Sequence, residues 1–183
     1  MDPAVTSGDR SDETGIIVAG RTSDGHVYVV ADYSGRYTPE RWAQRAADAY
    51  EEHVADAVIV ETNQGGDLVV NVLRSNRPAL RVKRVHASRG KRIRAEPISA
   101  LWEQGRGHIV GSLPDLEDQL VTWSPLSPSS PDRLDAMVWA LTDLAAASGS
   151  EQYLRGLARM CQACDWPNLP RYVTCQKCRE PLM

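Results

Sequence analysis

The sequence reads AVIVETNQGG from Ala57 to Gly66. Its apolar residues run directly into Glu61, as in a buried strand of an α/β protein. A buried strand seldom ends on an ionised carboxylate by chance, because such a group needs a metal or a charged partner once it leaves water. The polar turn that follows ends in two glycines, which allow a substrate to approach the backbone closely. We therefore expect Glu61 to face a functional cleft.

Upstream of this stretch, the pattern predicts a hairpin and a helix. Ile16 to Gly20 and His26 to Asp32 have the character of two strands, and the turn between them contains Asp24-Gly25, a strong hairpin signal. Thr38-Pro39 then predicts a helix start, with threonine as the N-cap and proline at the first helical position.

Downstream, strand and helix patterns alternate. The predicted elements are a helix from Gly66, a strand from Leu80 to Val85, a helix from Glu96 to Gln104, a strand from Gly107 to Val110, a helix from Leu113 to Trp123 and a helix from Asp132 to about Ala147. Alternation of this kind after an initial hairpin indicates an α/β fold with a mixed sheet.

A second carboxylate of interest lies on the last of these helices. Its apolar residues recur at helical spacing, and Asp135 lies at the edge of the apolar face they form. Asp132 lies one turn earlier on the same side, where a simple N-cap is an alternative role. An ordinary flanking position is the alternative for Asp135. Acidic residues from distant segments suit a divalent metal site, because hard cations prefer oxygen ligands.

Charge is distributed unevenly along the chain. The formal net charge is −3, yet the stretch from Arg74 to Arg94 contains many basic residues and no acidic one. Such a patch is typical of contact with a phosphate backbone, and a solvated surface is the alternative. The polar N-terminus is not a signal peptide, and no apolar run approaches the roughly 20 residues needed to span a membrane. We expect a cytoplasmic protein.

The cysteines form a separate module. All four lie in two C-x-x-C pairs, Cys161 with Cys164 and Cys175 with Cys178. Pairs at this distance predict a structural Zn²⁺ site with four thiolate ligands, with reduced free cysteines or a redox pair as alternatives. The small polar run Ser148-Gly149-Ser150 predicts a boundary between domains 1–149 and 150–183, the second comprising a short helix and a small zinc-ribbon-like cysteine module.

Short motifs follow one another along residues 2 to 147, and they are Asp2-Pro3-Ala4, Ser11 to Ile16, Val60 to Gly66, Gly90 to Ala95, Leu116 to Gln119 and Ser130 to Ala136. In type and order they resemble the nuclease domain of tailed-phage terminase large subunits. The resemblance implies a ribonuclease H-like mixed sheet flanked by helices. It also implies an endonuclease that cuts concatemeric phage DNA during genome packaging by phosphodiester hydrolysis with two Mg²⁺ or Mn²⁺ ions.

The resemblance also implies roles for particular residues. Asp2, Glu61 and Asp135 match the catalytic metal ligands, and Asp12 and Asp132 match auxiliary acidic positions. The expected DNA-binding residues are Lys91, Arg94, Arg92 and Arg89. The implied partners are double-stranded DNA, a terminase small subunit, a portal protein and a separate or upstream ATPase domain, with no membrane. The implied location is the cytoplasm of a bacterial host cell.

The sequence departs from the family pattern at two points. It contains no G-x-x-x-x-G-K-[ST] phosphate loop, and no apolar strand leads into Asp2. We therefore expect a truncated gene product, a split terminase or an excised domain, with open strand edges on both sides of Asp2 and impaired activity. Two alternatives stay open: another ribonuclease H-like nuclease such as a resolvase, and a non-catalytic remnant or zinc-bearing DNA-binding module.

Overall fold

The computed structural model describes residues 1–3, 13–63, 66–88, 90–124, 131–146, 159–160, 167–168, 178–179 and 181. In chain order its elements are β1 (Ile17–Arg21), β2 (Val27–Asp32), α1 (Pro39–Glu52), β3 (Val58–Glu61), α2 (Gly66–Asn76), β4 (Val82–Val85), α3 (Lys91–Glu103), β5 (Gly107–Ile109), α4 (Pro114–Thr122), α5 (Asp132–Ala146), β6 (Arg159–Met160) and β7 (Pro167–Asn168). None of the described helices has the length and apolarity required to cross a bilayer.

The predicted hairpin forms the first sheet. β1 and β2 pair antiparallel, from Ile17 opposite Asp32 to Arg21 opposite Val27, and the register shifts between Val18 and Ala19. The turn that joins them places Gly25 at a φ of +86°, a conformation that a residue with a side chain rarely adopts. β5 pairs parallel with β2, so this three-stranded sheet is mixed, as the sequence predicts.

The strand that ends in Glu61 belongs to a second sheet. β3 pairs parallel with β4 and, in the part of the chain that the structure describes, forms a separate two-stranded sheet rather than part of one continuous sheet. Met1 and Asp2 lie between the two sheets. The Met1 amino group donates to the carbonyl of Ile59, and the amide of Glu61 donates to the carbonyl of Met1. On the other side, Asp2 and Gly15 exchange a pair of backbone hydrogen bonds.

A cavity of about 120 Å³ lies between the edges of β1 and β3. Its walls are mostly apolar and include Met1, Ile17, Ile59 and Ala140. The cavity borders the Met1 end of the short segment between the sheets. The expectation that a strand preceding Asp2 occupies this space, and that activity is impaired without it, stays a prediction.

Helices cover both faces of the sheets because the strands alternate their buried side chains. On one face, Ile16 and Val60 pack with residues of α1 and α2 such as Trp42 and Leu73. On the other face, residues of β1 and β2 pack against α3, α4 and α5, with Leu141 fully buried. The described part is therefore an α/β arrangement in which α5 lies against the hairpin sheet and near β3.

Most element bounds agree with the sequence expectation to within two residues, and α3 is the exception. It begins at Lys91 rather than Glu96, and Pro97 lies inside it. Periodicity missed this first part because the segment is charged and lacks an apolar face. In the C-terminal part, β6 and β7 pair antiparallel, and the few residues described there do not show the expected zinc-ribbon module. Of the four cysteines, Cys161, Cys164 and Cys175 lie outside the described residues, and Cys178 is exposed.

Candidate active site

Three carboxylates come together from distant parts of the chain. Asp2 is held by its backbone bonds to Gly15, Glu61 ends β3, and Asp135 lies in the first turn of α5. Asp135 is only 2% exposed. These are the residues that the sequence singled out as metal ligands, and the structure places them around one region where the two sheets meet α5.

The electrostatics of Asp2 show how closely the three acids interact. Burial, followed by the negative charges of Glu61 and Asp135, raises the pKa of Asp2 to about 7. The Met1 ammonium opposes this shift, and Asp132 adds to it. Burial also lowers the pKa of the Met1 ammonium to about 6. The site therefore contains more negative charge than its surroundings readily accommodate.

Two cations of α3 face the acids. Lys91 Nζ lies 2.5 Å from Asp135 Oδ2. The Arg94 guanidinium lies between two carboxylates, with Nη1 3.7 Å from Glu61 Oε2 and Nη2 3.6 Å from Asp135 Oδ1. Lys91 and Arg94 are one turn apart on α3, which explains why both side chains point to the same site.

Trp139 links Glu61 to Arg94. Its indole Nε1 donates a hydrogen bond of 2.5 Å to Glu61 Oε2, and its ring lies 4.5 Å from the Arg94 guanidinium carbon in a cation–π contact. Trp139 comes one turn after Asp135 on α5, so one helix face supplies both an acid and the residue that orients a second acid.

Gly15 allows α5 to approach the Asp2 segment. A Cβ at this position would lie 2.0 Å from the carbonyl oxygen of Asp132 and 2.9 Å from the Cβ of Ala136. Any side chain would therefore push the start of α5 away from Asp2. The requirement for glycine here comes from this close contact, which brings Asp132 and Asp135 next to Asp2.

A second ionic cluster fixes the same end of α5. Arg133 donates from Nε to Asp32 at 2.9 Å, from Nη2 to Asp115 at 3.2 Å and from Nη1 to Glu13. These partners belong to β2, to α4 and to the segment before β1. Arg133 thereby joins three elements to the first turn of α5, next to Asp135.

Comparison with known families now identifies the chain. A model of the terminase RNase H-like domain matches residues 1–144. The chain belongs to this family. No curated protein matches it. Membership agrees with the α/β fold, with its small mixed sheet and flanking helices, and it associates the acidic cluster with the nuclease part of a terminase.

The terminase domain places some predicted residues away from the acidic cluster. Arg77 pairs with Glu51, Arg84 with Asp67, and Lys83 with Asp143. The basic stretch from Arg74 to Arg94 therefore does not form one continuous positive surface, because acids from other segments neutralise part of it. Asp12 and Arg89 lie outside the described residues, and Arg92 is exposed.

Trp139 and Arg133 are the residues that sequence reasoning missed in this terminase domain. The helical spacing contained a signal for Trp139, because position i+4 from Asp135 faces the same side. Arg133 lies within the Pro131 to Ala136 motif, yet its acidic partners come from three other segments. No local pattern indicates contacts of this kind.

The acidic cluster fits a divalent cation in chemistry but is not arranged as a ready ligand set. Among the described residues, no group of three or more His, Cys, Asp or Glu side chains is positioned to hold a metal ion. The donors are nevertheless hard oxygen ligands. Burial first, and the charges of Glu61 and Asp135 after it, raise the pKa of Asp2, and a divalent cation would relieve the repulsive part of this shift. The charge of the cluster thus favours a divalent cation, while the positions of its oxygens do not yet form a ligand set. The physical reason is that Lys91 and Arg94 contact carboxylate oxygens of Asp135 and Glu61.

Proposed function

We propose that this terminase domain is a divalent-metal-dependent endodeoxyribonuclease that cuts concatemeric phage DNA during genome packaging. The observation that carries the proposal is the convergence of Asp2, Glu61 and Asp135. Burial and, after it, the charges of Glu61 and Asp135 raise the pKa of Asp2. The work would take place in the cytoplasm of the bacterial host. A terminase small subunit, a portal protein and an ATPase domain are the partners that we propose.

The chain's own residues have distinct parts in such a reaction. Asp2, Glu61 and Asp135 would hold two Mg²⁺ or Mn²⁺ ions, with Asp132 as an auxiliary acid. When bound, the ions supply an activated water and neutralise the charge that develops on the scissile phosphate. Trp139 holds Glu61 in one orientation through its indole N–H. Arg94 keeps Glu61 and Asp135 at a fixed separation through its position between them.

DNA contact is proposed for the exposed Lys91 and Arg92 of α3 and for Arg89 before it. Arg94, which the sequence analysis also expects to bind DNA, is only 9% exposed and lies between Glu61 and Asp135. Lys91 and Arg92 lie in the first turn of a helix that borders the acidic cluster, while Arg77 and Arg84 pair with acids elsewhere. This restricts the proposed DNA contact to the start of α3. Contacts of this type address phosphates and carry no base information, so we expect cleavage with little sequence preference.

Nicking of a supercoiled plasmid tests the function. We expect nicks with Mn²⁺ and none with excess EDTA, and we expect Glu61→Gln to lose the activity because it removes a ligand charge but keeps the side-chain shape. Asp67→Asn is the matched control, because Asp67 is an exposed acid that pairs with Arg84. Nicking that survives both EDTA and Glu61→Gln would contradict the proposed metal site, and an unmodified chain that does not nick with Mn²⁺ would leave the non-catalytic alternative.

We also propose that Cys161, Cys164, Cys175 and Cys178 bind one structural Zn²⁺. The support is the spacing of the two pairs in the sequence. Elemental analysis of protein purified without chelator should give one zinc per chain, and Cys161→Ser together with Cys164→Ser should abolish it. Zinc removal should leave the apolar core of residues 13–146 folded, which near-UV circular dichroism of its tryptophans would report. A zinc content unchanged by the double substitution would contradict this site.

A further inference from the structure

The two cations that face the acidic cluster differ sharply in how they are held. The Arg94 side chain is only 9% exposed and lies against the Trp139 ring. The Lys91 side chain is 46% exposed, although its ammonium contacts the buried Asp135. One cation is therefore enclosed by the protein, and the other reaches into the site from solvent.

Arg94 is fixed in place by its surroundings. Its guanidinium stacks on Trp139, which is itself bonded to Glu61. Within the described residues, its Nε and Nη1 are buried without a hydrogen-bond partner. Because the Arg94 guanidinium lacks these hydrogen bonds, the two carboxylates and the Trp139 ring hold it by charge and stacking. These contacts do not involve Lys91, so they persist in any orientation of the Lys91 side chain.

Lys91 has the opposite properties. A lysine has a flexible four-carbon stem and a compact, strongly hydrated ammonium, so it exchanges partners at low cost. Asp135 Oδ2, which Lys91 contacts, is an oxygen that a divalent cation at this cluster would need. Lys91 and a divalent cation cannot both contact Asp135 Oδ2 from the same side, because the lysine nitrogen lies 2.5 Å from that oxygen and leaves no space for a metal ion between them.

We propose that Lys91 and a divalent metal ion compete for the Asp135 carboxylate, and that Lys91, once displaced, turns to a DNA phosphate. The inference rests on the proposed function, since it assigns a role to a residue of that same site. Lys91 is then an internal counter-ion that stabilises the buried Asp135 before the metal arrives. It links metal loading to DNA binding, because the ammonium becomes available for a phosphate only after exchange.

Titration calorimetry with Mn²⁺ alone tests the competition directly. Lys91→Met removes the ammonium and keeps an unbranched side chain of similar length. We expect it to tighten Mn²⁺ binding by roughly tenfold, because one positive charge a few ångströms from the ligand is removed. The matched control is Lys83→Met, which breaks a lysine–aspartate pair with Asp143 on β4 and α5 outside the cluster. That variant should bind Mn²⁺ as the unmodified chain does.

Binding of a short DNA duplex tests the second half of the proposal. We expect Ca²⁺ to strengthen duplex binding of the unmodified chain more than that of Lys91→Met, because only the former has an ammonium to transfer to a phosphate. Lys83→Met should respond to Ca²⁺ as the unmodified chain does. An equal Ca²⁺ response of all three proteins would overturn the transfer of Lys91 to DNA.

The outcomes separate this inference from the proposed function. If the unmodified chain binds Mn²⁺ and Lys91→Met binds it equally or more weakly, the competition is overturned and metal dependence stands. If neither protein binds Mn²⁺, both the inference and the metal-dependent function fail. Circular dichroism of each variant verifies the fold, and in Lys91→Met the Arg94 guanidinium still faces Asp135 as a counter-ion.

Discussion

Two ionic clusters share the first turn of α5, and they differ in how completely their charged groups are hydrogen-bonded. Arg133 is one cation among three acids, and its Nε, Nη1 and Nη2 each bond to a different carboxylate. Asp135 belongs to a cluster of acids with two cations, whose arginine contacts are 3.6 to 3.7 Å long. In the first cluster, each of these guanidinium nitrogens donates to its own carboxylate. The second leaves repulsion among its acids and buried guanidinium nitrogens without hydrogen bonds.

The difference is the one we expect, under the proposed function, between a stabilising cluster and one that binds a ligand. A cluster that serves only stability satisfies its polar groups, because unmet ones cost free energy. A cluster that exchanges ligands keeps some of them imperfectly satisfied, so that an incoming ion or phosphate improves on the contacts already present. Arg133 and Asp135 are two residues apart on one helix, so local sequence context does not account for the contrast.

The largest expected effect comes from exchanging an acid in each cluster. Asp135→Asn should reduce Mn²⁺-dependent nicking by roughly a hundredfold or more, since even outer partners of a metal ligand cost 10–100-fold. Asp32→Asn, in the Arg133 cluster, should lower the melting temperature and leave nicking by the folded protein in place. Plasmid nicking and thermal unfolding of both variants are the measurements. The contrast fails if the two variants lose activity equally at a temperature where both are folded.

Removal of the central cation should destabilise the Arg133 cluster. Arg133→Met leaves Glu13 and Asp32 without their counter-ion, and we expect the free energy of unfolding to fall by about 3 kcal/mol. Arg77→Met is the control, because Arg77 and Glu51 form an exposed pair whose loss should cost less than about 1 kcal/mol. Urea denaturation measures both values. Equal losses would show that the Arg133 cluster contributes no more than a surface pair.

Gly15→Ala tests the close contact that holds the start of α5 next to Asp2. The added Cβ would overlap the Asp132 carbonyl oxygen at 2.0 Å, and we expect a loss of about 2 kcal/mol in unfolding free energy from overpacking. Nicking should fall as well, because the start of α5 must move away from Asp2. Gly90→Ala is the control, since nothing lies within 4 Å of its Cβ. Unchanged stability and activity in Gly15→Ala would contradict the tight fit.

The smallest expected effect is a pH dependence set by Asp2. Its pKa rises from 3.8 to about 7 in the folded chain, so the native state binds this proton more tightly than the unfolded state. The native state therefore loses stability as pH rises through the range between these values. Relative to Asp2→Asn, the unmodified chain should lose about 1 kcal/mol between roughly pH 5 and pH 6, where the Met1 ammonium, with a pKa of about 6, is still mostly charged. Denaturant titrations of both proteins across this range decide it, and parallel curves would contradict the burial of a protonated Asp2.

Much of the fold could be predicted because its elements have local signals. The Asp24-Gly25 turn, the Pro39 helix start and the period of α5 lie in the sequence itself, and each element appears near its expected place. The division into two sheets is not local, because it depends on which strand edges meet at Met1–Asp2.

The acids that the sequence analysis named, Asp2 only through the family resemblance, lie together in the structure, whereas the burial of the cations beside them had no signal in the sequence. Glu61 and Asp135 stand at abrupt changes of polarity, which a linear reading detects. The basic stretch gave no sign that Arg94 is buried and Arg92 exposed, because that division depends on which side of α3 packs against α5. The same limit applies to Trp139, whose partner Glu61 is distant in sequence.

The segment Met1–Asp2 has a mechanical consequence. It is bonded to β3 on one side and to Gly15 on the other, so it connects the sheet that holds Glu61 to the sheet against which α5 packs. A tensile load applied to the backbone at Met1 would act along these bonds in shear. Because Asp2 is the next residue, such a load would pass first into the two backbone pairings that hold Asp2 between Glu61 and the start of α5.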